Sequence, residues 1–332
     1  MGSLSPDDGR VRWADEELGD EETYLDINAL AAAANSSFYA AAYVTLSPDH
    51  AYVAYAADAV GAESYELPFR RIATGVELAS DTVAAMRGSF AWGADTTTFY
   101  YTTQSATNRP ENVWRRTFVP RLEGGPAAGS DVANDTLLWE DPDEGFWLSL
   151  SRSRSDRMLM FGSTTSDTAE WYVLDVVADA AAVKGGVPPP TPTLVEARGA
   201  SLYFVEHLDG DTLVIKTNAV DADNFKVVTA PLASPAAAGW VDMLPYNASV
   251  MVNQGTPFAT FAVLSVRVGG YTRLVTIDIV ACGSGASPIL NASTAEVLPL
   301  AEAAVTLSDV HGPYDGRAFT FYYTSPKTPM QT

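Results

Sequence analysis

The sequence predicts an all-β fold of the β-propeller type, and two observations support this prediction. First, short segments rich in β-branched and aromatic residues follow polar turns along the chain, as is typical of strands. These segments are Tyr52–Ala56, Thr98–Thr102, Met158–Phe161, Thr212–Lys216 and Ala318–Tyr323. Second, the turns recur about every 50 residues, which is the length of a four-stranded propeller blade. A β-sandwich would also contain short strands, but it would not show a repeat of this length.

Aspartates mark the repeated turns. The marker residues are Asp49, Asp95, Asp156, Asp209 and Asp315. Their spacings are 46, 61, 53 and 106 residues, and the last spacing corresponds to two intervals with one turn unrecognised. The stretch 255–268 supplies strands for that remaining interval. Because an Asp side chain accepts hydrogen bonds from backbone N–H groups two residues on, we interpret these residues as turn formers and not as catalytic carboxylates.

Several regions depart from the strand-and-turn pattern. The stretch 25–34 is the one segment that looks helical, and its short, Ala-rich sequence predicts a strand end followed by one turn. Residues 124–134 and 178–192 are rich in Gly, Ala and Pro, which is typical of surface insertions between strands. The acidic residues 1–22 are predicted to be disordered, so the propeller domain is predicted to span residues 23–332.

The charge balance argues against two classes of partner. Among 332 residues, 20 Lys and Arg stand against 41 Asp and Glu, which gives a net charge of −21. A surface of this sign repels nucleic-acid phosphates and anionic lipid headgroups, and it attracts basic peptides. No apolar run reaches the ~18 residues that a membrane helix needs, and residues 1–22 lack the apolar core of a signal peptide. A cytoplasmic location is therefore expected.

No motif in the sequence carries recognisable catalytic or cofactor chemistry. The Gly-x-Ser-x-Gly turn that exposes the nucleophilic serine of α/β-hydrolases does not occur. His50, His207 and His311 are far apart and show no metal-ligand spacing. Cys282 lies in a Gly/Ser-rich stretch with no basic neighbour to activate a thiolate, and no phosphate-binding Gly-rich loop is found. We therefore predict no catalytic residue, no metal site and no cofactor in this chain.

Short matches in a fixed order resemble the oligopeptidase B branch of the prolyl oligopeptidase family. Leu46–His50, Val53–Tyr55 and Asp58–Glu63 resemble the family's second-blade opening, which reads S-P-D, a short strand and D-x-V-G-x-E. Other matches in the family's order are Leu25–Leu30, Ala73–Gly75, Arg109–Pro110, Val113–Arg115, Ser151–Arg154, Lys216–Asn218, Asn224–Phe225, Ala230–Leu232, Trp240 and Tyr322–Pro329. The resemblance covers residues 23–329 and is thin over residues 243–307.

The resemblance implies a fold and a function. In this family a seven-bladed propeller covers an α/β-hydrolase domain with a Ser-Asp-His triad and admits only short peptides, which the complete enzymes cleave after basic residues. By this comparison the chain holds the propeller alone, incomplete at its first and last blades, without the catalytic domain and inactive by itself. The implied partners are short peptides and the hydrolase domain. Arg115 and Glu144 fall in segments that approach the hydrolase domain in this family, which makes them candidates for an inter-domain salt bridge.

Other interpretations are open at the level of the sequence. A stand-alone propeller could bind a peptide or a protein on its face. Within the peptidase interpretation, Arg115 and Glu144 could also be ordinary solvated surface charges. A propeller glycosidase or lyase would need carboxylates clustered in the central channel, whereas the acidic groups within 141–144 and 221–223 are interpreted as solvated loop charge. The open edges of incomplete end blades further predict that the isolated chain is marginally stable or prone to aggregation.

Overall fold

The structure is a computed structural model, and it describes residues 3–4, 11–12, 23–78, 82–117, 135–280, 288–300, 302 and 304–331. Two short strands, β1 (Ser3–Leu4) and β2 (Val11–Arg12), pair antiparallel near the N-terminus. The remainder of the segment 1–22, for which disorder is predicted, lies outside the described residues, as do Cys282 and the whole of the predicted insertion 124–134.

Antiparallel sheets follow one another along the chain, each built from strands that are neighbours in sequence. The first sheet contains β3 (Ala40–Leu46), β4 (Tyr52–Asp58), β5 (Tyr65–Leu67) and β6 (Phe69–Arg71). The second sheet contains β7 (Val83–Trp92), β8 (Thr98–Gln104), β9 (Pro110–Thr117) and β10 (Asp135–Glu140). Because β5 also pairs with β7, hydrogen bonds join the first and second sheets at this point. The third sheet contains β11 (Trp147–Arg152), β12 (Met158–Thr164), β13 (Ala169–Asp175) and β14 (Thr193–Glu196).

The later part of the chain repeats the same arrangement. The fourth sheet contains β15 (Tyr203–His207), β16 (Thr212–Thr217), β17 (Lys226–Pro231) and β18 (Val241–Leu244). The fifth sheet contains β19 (Val250–Pro257), β20 (Phe261–Val268), β21 (Tyr271–Val280), β22 (Ile289–Leu290) and β23 (Glu296–Val297). The last described sheet is the pair β24 (Thr306–His311) and β25 (Thr320–Thr324). The five strand segments identified in the sequence each coincide with an observed strand, so those predictions are confirmed.

Two helices correct the sequence interpretation. The segment predicted as a strand end and a turn forms α1 (Ile27–Ala33), because the carboxylate of Asp26 caps the first backbone N–H groups of the helix. Part of the predicted insertion 178–192 forms α2 (Val176–Gly185). Asp175 caps the start of α2, and Gly186, at φ 63°, ends it in the left-handed conformation that glycine accepts without strain.

Apolar side chains fill the space between consecutive sheets. Phe69 of the first sheet packs with Trp92 and Phe99 of the second. The same pattern continues along the chain, with one cluster of buried residues for each neighbouring pair of sheets. Since the inner sheets are covered on both faces, a central strand such as β12 is buried along nearly its whole length, with Leu159 and Phe161 in one cluster and Met158 and Met160 in the next. Stacking of this kind between four-stranded sheets is the arrangement of propeller blades.

Substitution of Gly162 tests how tightly the core between the third and fourth sheets is packed. A Cβ atom at this position would lie 2.3 Å from the indole of Trp171, which is itself buried in the core. We expect Gly162→Ala to lower the free energy of unfolding by about 2 kcal/mol or more, because the ring or the strand must shift. Urea denaturation of the purified chain measures this loss.

Gly199→Ala is the matched control for Gly162→Ala. A Cβ atom at Gly199 meets only the carbonyl oxygen of Ala197, at 3.9 Å, so this variant should unfold within about 0.5 kcal/mol of the wild type. Equal unfolding midpoints for the two variants would contradict the packing described for Gly162.

Candidate functional site

The first strands of the first three sheets line a cavity. Strand β7 lies against both β3 and β11, and blades of a propeller surround a central channel with such strands. These strands and the turns that follow them enclose a space of about 810 Å3. Tyr43, Phe90, Ser151 and Arg152 contribute to its wall, and Asp156 is the one carboxylate among its described lining residues. We call this space the axial cavity. A pair of facing carboxylates, as a glycosidase requires, is not found among those lining residues.

Tyr43 stands out in the wall of the axial cavity. Its backbone has φ 52°, a conformation that is rare and costly for a bulky residue. Strand β3 shifts its register between Ala42 and Thr45, and a bulge of this kind re-aims a side chain. The ring is 62% exposed and meets Phe90 edge to face, with 6.4 Å between ring centroids. The bulge therefore presents an aromatic surface to the cavity.

Three of the marker aspartates accept hydrogen bonds from the backbone of their turns. The carboxylate of Asp49 accepts from the N–H of Ala51 at 3.1 Å, that of Asp95 from the N–H of Thr97 at 2.8 Å, and that of Asp209 from the next residue. Asp95 also pairs with Lys184 at 2.6 Å. The interpretation as turn formers is confirmed for these three residues and stays a prediction for the other two.

One arginine links four sheets. Arg154, in the turn after β11, donates from Nε to the carbonyl oxygen of Pro257 at 2.9 Å and from Nη2 to that of Gly312 at 3.0 Å. Its guanidinium lies 4.4 Å from the ring centroid of Phe258. Its backbone N–H donates to Oε1 of Glu206 at 3.1 Å. We call this set the Arg154 junction, and it ties the third sheet to the fourth, the fifth and the last.

His207 lies inside the Arg154 junction and is only 1% exposed. Its Nε2 is 3.1 Å from the carbonyl oxygen of Gly210. Because a carbonyl only accepts, Nε2 carries the proton, and Nδ1 accepts from the hydroxyl of Ser155 at 2.6 Å. Burial lowers the pKa of His207 against the effect of the Gly210 hydrogen bond. A neutral imidazole thus links two turns, with both of its nitrogens already occupied by the protein.

Glu206 adds a partly buried acid beside this histidine. Its Oε1 accepts from the backbone N–H groups of both Arg154 and His207. Burial raises the pKa of Glu206 to about 7, although these two hydrogen bonds and the charge of Arg154 act in the opposite direction. The sequence analysis did not identify Glu206, since nothing in an alternating strand marks which acid will be buried.

The structure gives Arg115 a partner inside the propeller. Arg115 on β9 is 6% exposed, and its Nη1 lies 2.7 Å from Oδ1 of Asp179 on α2. The hydroxyl of Tyr100 donates to the other oxygen of Asp179 at 2.6 Å. Glu144, in contrast, is exposed in the turn before β11. The inter-domain salt bridge expected of Arg115 and Glu144 stays a prediction, and of the two only Glu144 presents its charge to solvent.

The acidic group in the turn before β11 is more ordered than the sequence suggests. Asp141 is 5% exposed and accepts from Arg198 at 2.6 Å and from the hydroxyl of Ser163. Its interpretation as solvated loop charge is therefore wrong, whereas Asp143 is exposed as expected.

The described residues contain no group of three His, Cys, Asp or Glu side chains placed to hold a metal ion. None of the helices in the described part of the chain is long and apolar enough to cross a membrane.

The successive stacked sheets and the cavity between their first strands define a β-propeller domain. Residues 8–332 match the family model of the prolyl oligopeptidase N-terminal β-propeller domain. The chain belongs to this family, which confirms the resemblance found in its sequence. The seven-blade count and the incomplete end blades stay predictions.

Three known proteins are similar to the chain over nearly its whole length. It is similar to oligopeptidase B of Trypanosoma brucei in a closed form with covalently bound antipain, at 30% identity and a TM-score of 0.78 over 97% of this chain and 41% of that one. Oligopeptidase B of Leishmania major gives 26% identity and a TM-score of 0.79, over 96% of this chain and 42% of that one. Dipeptidyl aminopeptidase BI of Pseudoxanthomonas mexicana is 28% identical over 95% of this chain and 39% of its own length. The chain thus spans about two-fifths of each relative.

Removing the partner of Arg115 should destabilise the chain strongly. Asp179→Asn keeps the shape of the side chain but leaves the guanidinium buried without a countercharge, which costs about 3 to 5 kcal/mol. The free energy of unfolding in urea measures this cost. Asp211→Asn removes an exposed carboxylate 3.9 Å from Arg157 and should change that energy by less than about 0.5 kcal/mol. A loss no larger than that of the control would show that Asp179 does not carry the buried charge pair.

Titration of Glu206 should make the free energy of unfolding depend on pH. Its pKa lies at about 7 in the folded chain against an ordinary value of 4.5, so the folded state binds the proton more tightly. The free energy of unfolding therefore falls as pH rises from about 4.5 to about 7. Glu206→Gln cannot titrate, and its stability relative to the wild type should rise across this window by up to about 3 kcal/mol.

The measurement is the difference in unfolding free energy between Glu206→Gln and the wild type at several pH values. His207 and Arg154 are present in both proteins, so their own titration cancels from the difference. Glu66→Gln, on an exposed carboxylate of the first sheet, gives the background. A Glu206→Gln difference that follows this background at every pH would rule out a buried acid of raised pKa.

Proposed function

We propose that this chain is the propeller half of an oligopeptidase B-type serine peptidase and controls which peptides reach an α/β-hydrolase domain. The observation that carries this proposal is its alignment, along 97% of its length, with oligopeptidase B of Trypanosoma brucei. The hydrolase domain would supply the Ser-Asp-His triad, and cleavage would follow basic residues of short peptides. The chain alone would be inactive, and a cytoplasmic location is part of the proposal.

The axial cavity supports a role in admitting peptides. Its wall carries the exposed ring of Tyr43 and the ring of Phe90, which offer an extended peptide flat apolar surfaces with little entropy to lose. A net charge of −21 favours the approach of basic peptides. Folded proteins would be excluded by size. Glu144, which is exposed, is the better of the two candidate residues for a contact with the hydrolase domain.

A chimera tests this proposal. In oligopeptidase B of Trypanosoma brucei, the aligned propeller segment would be replaced by this chain, and kcat/KM would be measured for a short arginyl peptide and for a long unfolded polypeptide. We expect the chimera to cleave the short peptide and to discriminate against the long one. Tyr43→Gly should lower the ratio of kcat/KM for the short peptide to that for the long polypeptide several-fold, because it removes an aromatic ring from the cavity wall. Glycine also adopts the left-handed backbone conformation of this position without strain.

Tyr246→Gly serves as the control, since this tyrosine is a loop residue outside the axial cavity. It should leave the ratio of the two kcat/KM values unchanged. A ratio that Tyr43→Gly also leaves unchanged would argue against passage of peptides along this wall. A folded chimera that binds peptides but does not cleave them would favour the stand-alone binding module instead.

A further inference from the structure

A second cavity lies between the fourth and fifth sheets, and its lining shares no residue with that of the axial cavity. Its volume is about 370 Å3, within the range of pockets that hold small ligands. Most of its wall is apolar, and a few polar side chains reach into it, as in typical binding pockets. Its lining includes Glu206, Lys216, Val214, Met243, Gly255 and Leu264. We call it the intersheet pocket.

Local features of β19 keep the intersheet pocket open. The register of β19 against β20 shifts between Val252 and Gln254, so Asn253 is the extra residue of a bulge. Gly255 then places no side chain in the space, and a Cβ atom there would come within 3.3 Å of Leu264. At the interface between the third and fourth sheets, by comparison, the ring of Trp171 occupies the space over a glycine. The pocket is therefore built by the bulge and the glycine together.

Lys216 is held at the wall of the intersheet pocket. Its Nζ donates to the carbonyl oxygen of Asn253 at 2.6 Å, which the bulge frees from the ladder. The same Nζ lies 4.5 Å and 4.7 Å from the ring centroids of Phe204 and Phe225. No carboxylate among the described residues forms an ion pair with it. An ammonium has three N–H donors, so Lys216 keeps donor capacity for an anionic group in the pocket.

Glu206 offers the opposite charge on the same face of the sheet. Both of its described hydrogen bonds, from Arg154 and His207, end on Oε1, which leaves Oε2 for the pocket. Phe204 is the cross-strand partner of Lys216, and Glu206 lies two residues further along β15. Glu206 and Lys216 are therefore diagonal neighbours, and such positions are about 7–8 Å apart.

We propose that the intersheet pocket binds a free dipeptide, with its ammonium on Glu206, its carboxylate on Lys216 and its apolar side chain against the wall. A dipeptide carries an ammonium at one end and a carboxylate at the other, so one molecule can meet both charged side chains. Its extended length of about 7 Å fits within a pocket of about 370 Å3. A simple cation or anion would meet only one of the two charges. This inference is independent of the proposed peptidase function.

Calorimetric titration of the full chain with alanyl-leucine tests the proposal directly. We expect saturable binding at one site. Acetylation of the amine removes the contact with Glu206, and amidation of the carboxylate removes the contact with Lys216. Each capped peptide should bind about tenfold more weakly or worse, because each loses a hydrogen bond between charged groups.

Variants identify which end of the dipeptide each residue binds. Glu206→Gln should lower the affinity for alanyl-leucine about tenfold but leave the affinity for the acetylated form unchanged. Lys216→Met should also lower the affinity for alanyl-leucine about tenfold, and it should leave the affinity for the amidated form unchanged. Ala262→Leu fills the pocket from its apolar wall and should weaken all three ligands. Glu66→Gln and Lys226→Met remove one charge of each sign outside the pocket and should leave binding unchanged.

The capped peptides decide the question on the unaltered chain, so the test does not depend on any variant folding. Absence of saturable binding by the folded wild type would overturn the proposal. Equal affinity for alanyl-leucine and both capped forms would do the same, since the two charges would then play no part. Failure of the proposed peptidase function would show separately, in the chimera, and would leave these titrations as they are.

Discussion

The packing of each four-stranded sheet between two neighbours is the constraint on which the rest of this structure depends. A sheet covered on both faces has no solvated side, so its central strands carry continuous apolar runs, as β12 does from Met158 to Phe161. Polar chemistry is displaced to the turns at the sheet ends and to the first strands around the axial cavity. The Arg154 junction and the wall around Tyr43 both lie in such places. The buried pair of Arg115 and Asp179 is one exception. The intersheet pocket is another, and it lies where a bulge and a glycine interrupt the packing.

Apolar contact between sheets is strong but non-directional, and the buried charges supply direction. Arg115 reaches from the second sheet to Asp179 on α2, at 2.7 Å. Arg154 reaches from the third sheet to the fifth and the last. A buried ion pair adds little net stability over a well-packed apolar substitute, yet its geometry is satisfied in one arrangement only. These contacts specify the orientation of one sheet relative to the next, which non-directional apolar packing does not specify by itself.

Local sequence was sufficient for the strands and the turns, and insufficient for the sites. Aromatic and β-branched runs mark strands, and Asp49 caps its turn through an atom two residues away, so both are local. Helix α2 was also locally encoded, by its Asp175 cap and Gly186 stop, but an Ala-rich stretch before a run of prolines was interpreted as an insertion. The partner of Arg115 is 64 residues away. Glu206 and Lys216 come to line one pocket because of the register between two strands and a bulge in another sheet. No single segment of the sequence shows either feature.

Glu206 connects the two polar features of the fourth sheet. Its Oε1 accepts from the backbone of the Arg154 junction, while the side chain also lines the intersheet pocket. Hydrogen bonds to a charged carboxylate are about twice as strong as those to a neutral acid, so anything that keeps Glu206 ionised strengthens both of its bonds in the junction. An ammonium in the pocket has that effect. By linkage, an ordered junction favours the ammonium to the same extent. Occupancy of the pocket and the hold of the third sheet on the fourth are therefore joined through one carboxylate, with no movement of the backbone required.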